Sequence, residues 1–236
     1  MPALEQIPYS DRDTALTGWL ARPEGKPRGA VVIFPTVMNV NGPMIRRAQM
    51  LADAGFVAFI ADFYGEEVRH FDHAIAMGRA LREDVDHYRQ RLIAAVATLR
   101  EQPAVAGLSL AAIGYCMGGQ AALELARANE ELVLAASFHG ILETGRPATA
   151  ETPIATRILV CHGDADPLVP RSQVIAFWEE MDAARANWHF HSYAAVRHGF
   201  TDIKSGERGL PAIAYDASAD RQSWSALTSM FDEVFA

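Results

Sequence analysis

The sequence predicts an α/β fold, a mostly parallel sheet with helices on both faces, and three observations carry that expectation. Short apolar runs at 30–34 and 57–61 read as strands buried on both faces. Stretches with apolar residues at helical spacing alternate with such runs along the chain. At 110–113 an apolar run ends in Gly114, and from Gly119 onward Ala121, Ala122, Leu123, Leu125 and Ala126 take up helical spacing. A strand thus turns into a helix within a few residues.

The elements follow in order. Residues 7–9 and 14–21 read as an antiparallel hairpin at a sheet edge, turning at 10–13. The strand at 30–34 leads through a loop to a helix over 43–54, with Pro43 in its first turn and Gly55 at its stop. The strand at 57–61 ends in Asp62-Phe63-Tyr64-Gly65. Helical spacing runs over 71–100 with a break near 82–84, and Pro103 ends it. After the 110–113 strand and its helix come strands at 133–138 and 157–162. A helix over 172–184 with Ser172 as N-cap follows, then a last strand at 188–193. An amphipathic helix over 216–235 turns Trp224, Leu227, Met230, Phe231 and Val234 inward. No linker or repeat interrupts the pattern, so residues 1–236 are expected to form a single domain.

Composition narrows the function. Half of the residues are hydrophobic and 21% are charged, with a net charge of −8 and no Lys/Arg cluster. This disfavours a nucleic-acid or anionic-membrane surface. No apolar run is long enough to span a bilayer. The segment Met1-Pro2-Ala3-Leu4-Glu5-Gln6 lacks a basic region followed by an apolar stretch, so no signal peptide and a cytoplasmic location are expected. The two cysteines are far apart, and no His/Cys spacing suggests a metal or cofactor.

The chemistry centres on Gly114-Tyr115-Cys116-Met117-Gly118. This is the spacing of a nucleophile elbow, with Cys in the nucleophile's place. The nucleophile sits on a strained strand-to-helix turn where flanking side chains would collide, and glycines on either side remove the collisions. The turn also sets Cys116 at a helix N-terminus, which favours thiolate. The plainer alternative is a small Cys filling a buried turn. An elbow requires an acid and then a His further along the chain. Asp166 lies in His162-Gly163-Asp164-Ala165-Asp166-Pro167, a Pro-fixed turn at a strand end, with Asp164 as the second choice. His198 lies in the loop between the last strand and the closing helix, where that order places the base. His139 also follows a strand and could line the same pocket.

With Gly163-x-x-Asp166-x-x-Val169-Pro170, His198-Gly199-Phe200 and Asp62-Phe63-Tyr64 added to the elbow, the chain resembles the dienelactone hydrolase family of α/β-hydrolases, from about residue 16 to 235. The resemblance implies a Cys116–His198–Asp166 triad and an acyl-thioester route. It also implies an oxyanion hole from the amides of Val37 and Met117, and a small ester, lactone or thioester as substrate. Thr36, Tyr64, His139 and Phe200 are the expected substrate-binding residues, in a monomer or homodimer. In many members a Glu stands at the position of Thr36 and takes the resting Cys proton; Thr cannot act as a base near neutral pH, so His198 must deprotonate Cys116 directly. Glu66 and Asp202 occupy positions where well-known members carry arginines that hold a substrate carboxylate, and Gly199 replaces a Ser. A substrate without a carboxylate is therefore expected. Two other readings are a binding protein on the same scaffold, suggested by Thr36, and a thiol-redox protein pairing Cys116 with Cys161.

Overall fold

A computed structural model describes residues 4–236; Met1, Pro2 and Ala3, which open the segment lacking a leader pattern, lie outside the described residues. Eight strands form one sheet: β1 (Glu5–Asp11), β2 (Thr14–Ala21), β3 (Gly29–Phe34), β4 (Phe56–Ile60), β5 (Leu110–Tyr115), β6 (Leu134–Phe138), β7 (Arg157–Gly163) and β8 (Trp188–Tyr193). Their spatial order is β1-β2-β4-β3-β5-β6-β7-β8. The β1–β2 hairpin joins antiparallel to β4, and the remaining pairs are parallel.

Strand β3 shows why these runs are continuous rather than alternating. Ala30, Val32 and Phe34 enter the core on one face, and Val31 and Ile33 enter the core on the other. Burial on both faces rewards an apolar residue at every position. Helices α1 (Gly42–Asp53) and α6 (Ala217–Val234) cover one face. Helices α2 (Phe71–Glu83), α3 (Val85–Arg100), α4 (Met117–Arg127) and α5 (Arg171–Ala183) cover the other.

Local chemistry sets the boundaries. The long helical stretch breaks at Asp84, whose carboxylate accepts from the amides of Asp86 and His87 and so caps α3. Asn41 caps α1 through Met44 N–H, and Asp216 caps α6 through Ser218 and Ala219. Two expectations need correction. The hairpin turn is tighter than 10–13: Ser10 and Asp11 are strand residues, and the reversal falls on Arg12 and Asp13, with Arg12 at φ 51°. Ser172 is not a cap, because extended Pro170 (φ −66°, ψ 159°) already delivers the chain into the helix at Arg171.

The order reverses at β3 and β5. The connection after β3 leads to α1 on one face, and β5 leads into α4 on the other. That divergence opens a crevice at the carboxyl ends of the two strands.

Candidate active site

The crevice holds the strand-to-helix turn. Cys116 has φ 57° and ψ −117°, a conformation seldom adopted by a side-chain-bearing residue, between the end of β5 and the start of α4. The two flanking glycines are sterically obligatory. A Cβ on Gly114 would lie 1.8 Å from the Gly118 carbonyl oxygen, and one on Gly118 would lie 2.0 Å from that of Phe34. The Cys116 amide is held by the Phe138 carbonyl at 3.0 Å and by His139 Nδ1 at 3.2 Å.

Acid and imidazole arrive on two loops that touch. Gly163 ends β7 so close to the His-bearing loop that a Cβ there would meet the Val196 carbonyl oxygen at 2.5 Å. The Ala165 amide donates to that same carbonyl at 2.9 Å. Asp166 is buried, and its Oδ1 accepts from Leu168 N–H at 2.8 Å while its Oδ2 lies 2.7 Å from His198 Nδ1. With a carboxylate as partner, Nδ1 carries the proton and donates. His198 Nε2 has no hydrogen-bond partner among the described residues, and His198 lines one cavity with Cys116. Asp164 points away from His198 and pairs with Arg171 at 2.6 Å.

These contacts tune both groups. Burial opposes ionisation of the Cys116 thiol, but His198 and the amides of Met117 and Val37 outweigh it and pull the thiol below its ordinary value. Burial likewise opposes a charged His198; Cys116 and Asp166 outweigh it and raise the imidazole to about 10.

The neighbouring loop is tightly latched. Asn39, at φ 58°, donates from Nδ2 to Asp62 Oδ1 at 2.8 Å and accepts from Phe63 N–H at 3.2 Å. Asp62 also accepts from the amides of Thr17, Tyr64 and Gly65. Tyr64 then donates its hydroxyl to the Val37 carbonyl at 3.0 Å. Helix α2 approaches closely here at Gly78, where a Cβ would sit 2.9 Å from both Val37 Cγ2 and Met117 Sδ.

A cavity of about 80 Å³ opens over Cys116. Thr36, Val37, His139 and His198 line it, as do Thr201 and Asp202. The Thr36 hydroxyl accepts from Met38 N–H at 3.2 Å. His139 Nδ1 accepts the Cys116 amide, so its proton sits on Nε2, 2.9 Å from Thr201 Oγ1. Burial and the neighbouring His198 hold His139 neutral. Tyr64 and Phe200 do not line the cavity. Tyr64 reaches Val37 from behind, and fully buried Phe200 packs edge-on against His139 at 5.2 Å. Glu66 is also placed elsewhere, exposed beside a separate depression with Trp19 and Val68, because the Asp62 turn directs it away. Two nearby cations are also outside it: Arg46 lies 3.7 Å from Asp220 and Arg69 is exposed, and neither lines the cavity.

The family model for dienelactone hydrolases matches residues 16–235. The chain belongs to the dienelactone hydrolase family. Among solved structures, this dienelactone hydrolase family member is 36% identical to the dienelactone hydrolase-like promiscuous phosphotriesterase P91 from metagenomic libraries. That likeness covers all of both chains with a TM-score of 0.92. It is 26% identical, over 84% of each chain, to a probable 2-oxo-3-(5-oxofuran-2-ylidene)propanoate lactonase of Bradyrhizobium sp. An uncharacterised Caenorhabditis elegans protein is 37% identical over 63% of this chain and 94% of its own. The family member therefore has the α/β-hydrolase fold and a hydrolase's ancestry.

Other site chemistry is sparse among the described residues. No group of three or more His, Cys, Asp or Glu is arranged to hold a metal ion, and no helix is long and apolar enough to cross a membrane. Both cysteines are free thiols. Cys161 is buried in the core, where burial pushes its thiol up to about 12, which suits packing and not redox exchange.

The residues missed from sequence include Asn39 of the latch, Thr201 beside His139, and Phe71, Ile75, Leu168 and Ile213 of the rim. An Asn two residues beyond Val37, in a loop that must turn left-handed, was the available signal for the latch.

Proposed function

We propose that the protein is a Cys-dependent hydrolase of a small neutral ester, lactone or thioester. The observation that carries this reading is the convergence of Cys116, strained at its turn, with His198, whose far nitrogen is bonded to buried Asp166. Cys116 thiolate attacks the substrate carbonyl. The amides of Val37 and Met117, which help to lower the thiol's pKa, stabilise the developing oxyanion. The tetrahedral species collapses as His198 Nε2 gives its proton to the departing alkoxide or thiolate, leaving an acyl-thioester on Cys116. Water then enters, His198 takes its proton, and attack releases the carboxylic acid and the resting thiolate–imidazolium pair. No Glu is required to hold the resting proton, because His198 holds it.

Cavity charge supports a neutral substrate. Among the described residues lining it, Asp202 is acidic and none is Lys or Arg. A phosphotriester belongs in the substrate panel, given the description of the 36% identical relative.

The test is mass spectrometry of the enzyme after rapid quenching with a slowly hydrolysed ester. Acyl mass on the peptide bearing Cys116, with turnover falling by about a millionfold in Cys116→Ala, is the expected result. Wild-type turnover by Cys116→Ala on every substrate would overturn the reading.

A further inference from the structure

The cavity's mouth has a chemistry that the reaction itself does not need. Above Cys116 and His198 it is walled by Pro43 and Met44 from the start of α1, Phe71 and Ile75 from α2, Leu168 from the acid turn, and Ile213 from the loop beyond His198. Phe71 packs onto the core behind it, but Ile75 and Leu168 are left 45% and 47% exposed. Helix α2 buries Ala74, Gly78 and Leu81. Ile75 therefore stands off the buried stripe and contributes little to holding the helix down. Leu168 follows Pro167 in a turn fixed through its backbone amide on Asp166, so its side chain is not needed for that turn. Two exposed apolar side chains at the mouth of the cavity over a thiol, Ile75 and Leu168, form a surface suited to an apolar group.

Resting on the hydrolase reading above, we propose that the substrate is a neutral ester carrying an apolar chain or ring, and that Ile75 and Leu168 are its specificity-determining contacts. The occupant is a small molecule and not a protein partner, because its scissile carbonyl must reach Cys116 at the floor of a cavity of about 80 Å³. The reacting end fills that space. The apolar remainder emerges between α2 and the acid turn and removes both exposed side chains from water.

The experiment measures kcat/KM for two series of uncharged esters. One runs from 4-nitrophenyl acetate to the hexanoate, and the other pairs one acyl group with alcohols of growing alkyl length. The value should rise along at least one series by about two- to fourfold per methylene; full burial at ~0.8 kcal/mol per CH₂ sets the upper limit. In Ile75→Asn with Leu168→Asn the slope should flatten. Ile175→Asn, exposed on the outer face of α5 and outside the cavity, should keep it. Flat or falling values in both series, or a slope that survives the double variant, overturns the inference. If the double variant does not fold, the wild-type slope still decides. The hydrolase reading fails separately, by turnover that does not depend on Cys116.

Discussion

Asp166 and His198 meet at 2.7 Å with both side chains buried, while Asp164, two residues from Asp166, spends its charge on Arg171 at the surface. This division separates orientation of the imidazole from local turn chemistry. Asp166→Asn should cost about ten-thousand-fold in kcat, because an amide cannot hold the Nδ1–H tautomer. Asp164→Asn should stay within a few-fold. Equal losses in the two variants, measured on one ester, would reverse the assignment.

The pH dependence follows from the two tuned groups. Cys116 loses its proton below its ordinary range, and His198 keeps its proton up to about 10. The ion pair thus persists from the lowered thiol pKa up to the raised imidazole pKa, and disappears outside that window at both ends. Alkylation rate against pH should rise with a midpoint below the free-thiol value of about 8.5. The upper limb of kcat/KM should fall only near pH 10. An alkylation midpoint at or above the free-thiol value would show that no resting pair forms.

Tyr64 acts on Val37 through the peptide carbonyl, at 3.0 Å. Tyr64→Phe removes that bond and lets the Val37 amide drift from the oxyanion position. We expect kcat to fall, by up to about a hundredfold if the donor is effectively lost, with KM little changed. The thiol's alkylation profile should remain nearly that of the wild type, since His198 still governs it. Gly78→Ala should act in the same direction by pressing on Val37 and Met117. A change confined to KM would place Tyr64 with the substrate instead.

Asp202 lines the cavity over Cys116 and Glu66 does not, so the proposed charge preference is tested at Asp202. A neutral ester should be turned over with a kcat/KM about tenfold above that of a matched carboxylate ester. That ratio is ~1.4 kcal/mol, between the aqueous and surface limits for like charges about 4 Å apart. Asp202→Arg should invert the preference, whereas Glu66→Arg should leave it alone. A wild-type preference for the carboxylate ester would contradict the charge argument.

Much of this architecture was legible because the residues themselves force it. Runs such as 30–34 must be strands covered on both sides, and Gly114 and Gly118 announce a turn that admits no side chain. The order of Cys116, Asp166 and His198 along the chain anticipated their convergence. Side-chain direction was less legible. Tyr64 and Phe200 sit at the right places in sequence, yet packing turns one against the Val37 peptide and the other behind His139. The same holds for Glu66, which the Asp62 turn aims away, and for Ile75, whose position depends on how closely Gly78 lets α2 approach. Periodicity reports which face of an element is apolar, but not what that face meets.

The left-handed backbone at Cys116 bears on how the chain can change over time. A side chain held at φ 57° costs on the order of 1–3 kcal/mol that glycine would not incur. Cys116→Gly should therefore melt above Cys116→Ala, by about 2–4 °C for each kcal/mol of strain released in a chain of this length; equal melting temperatures would show that no strain is stored there. Thermal robustness and turnover thus make opposite demands on residue 116. Selection for durability alone would favour glycine at residue 116, leaving an intact fold without the thiol.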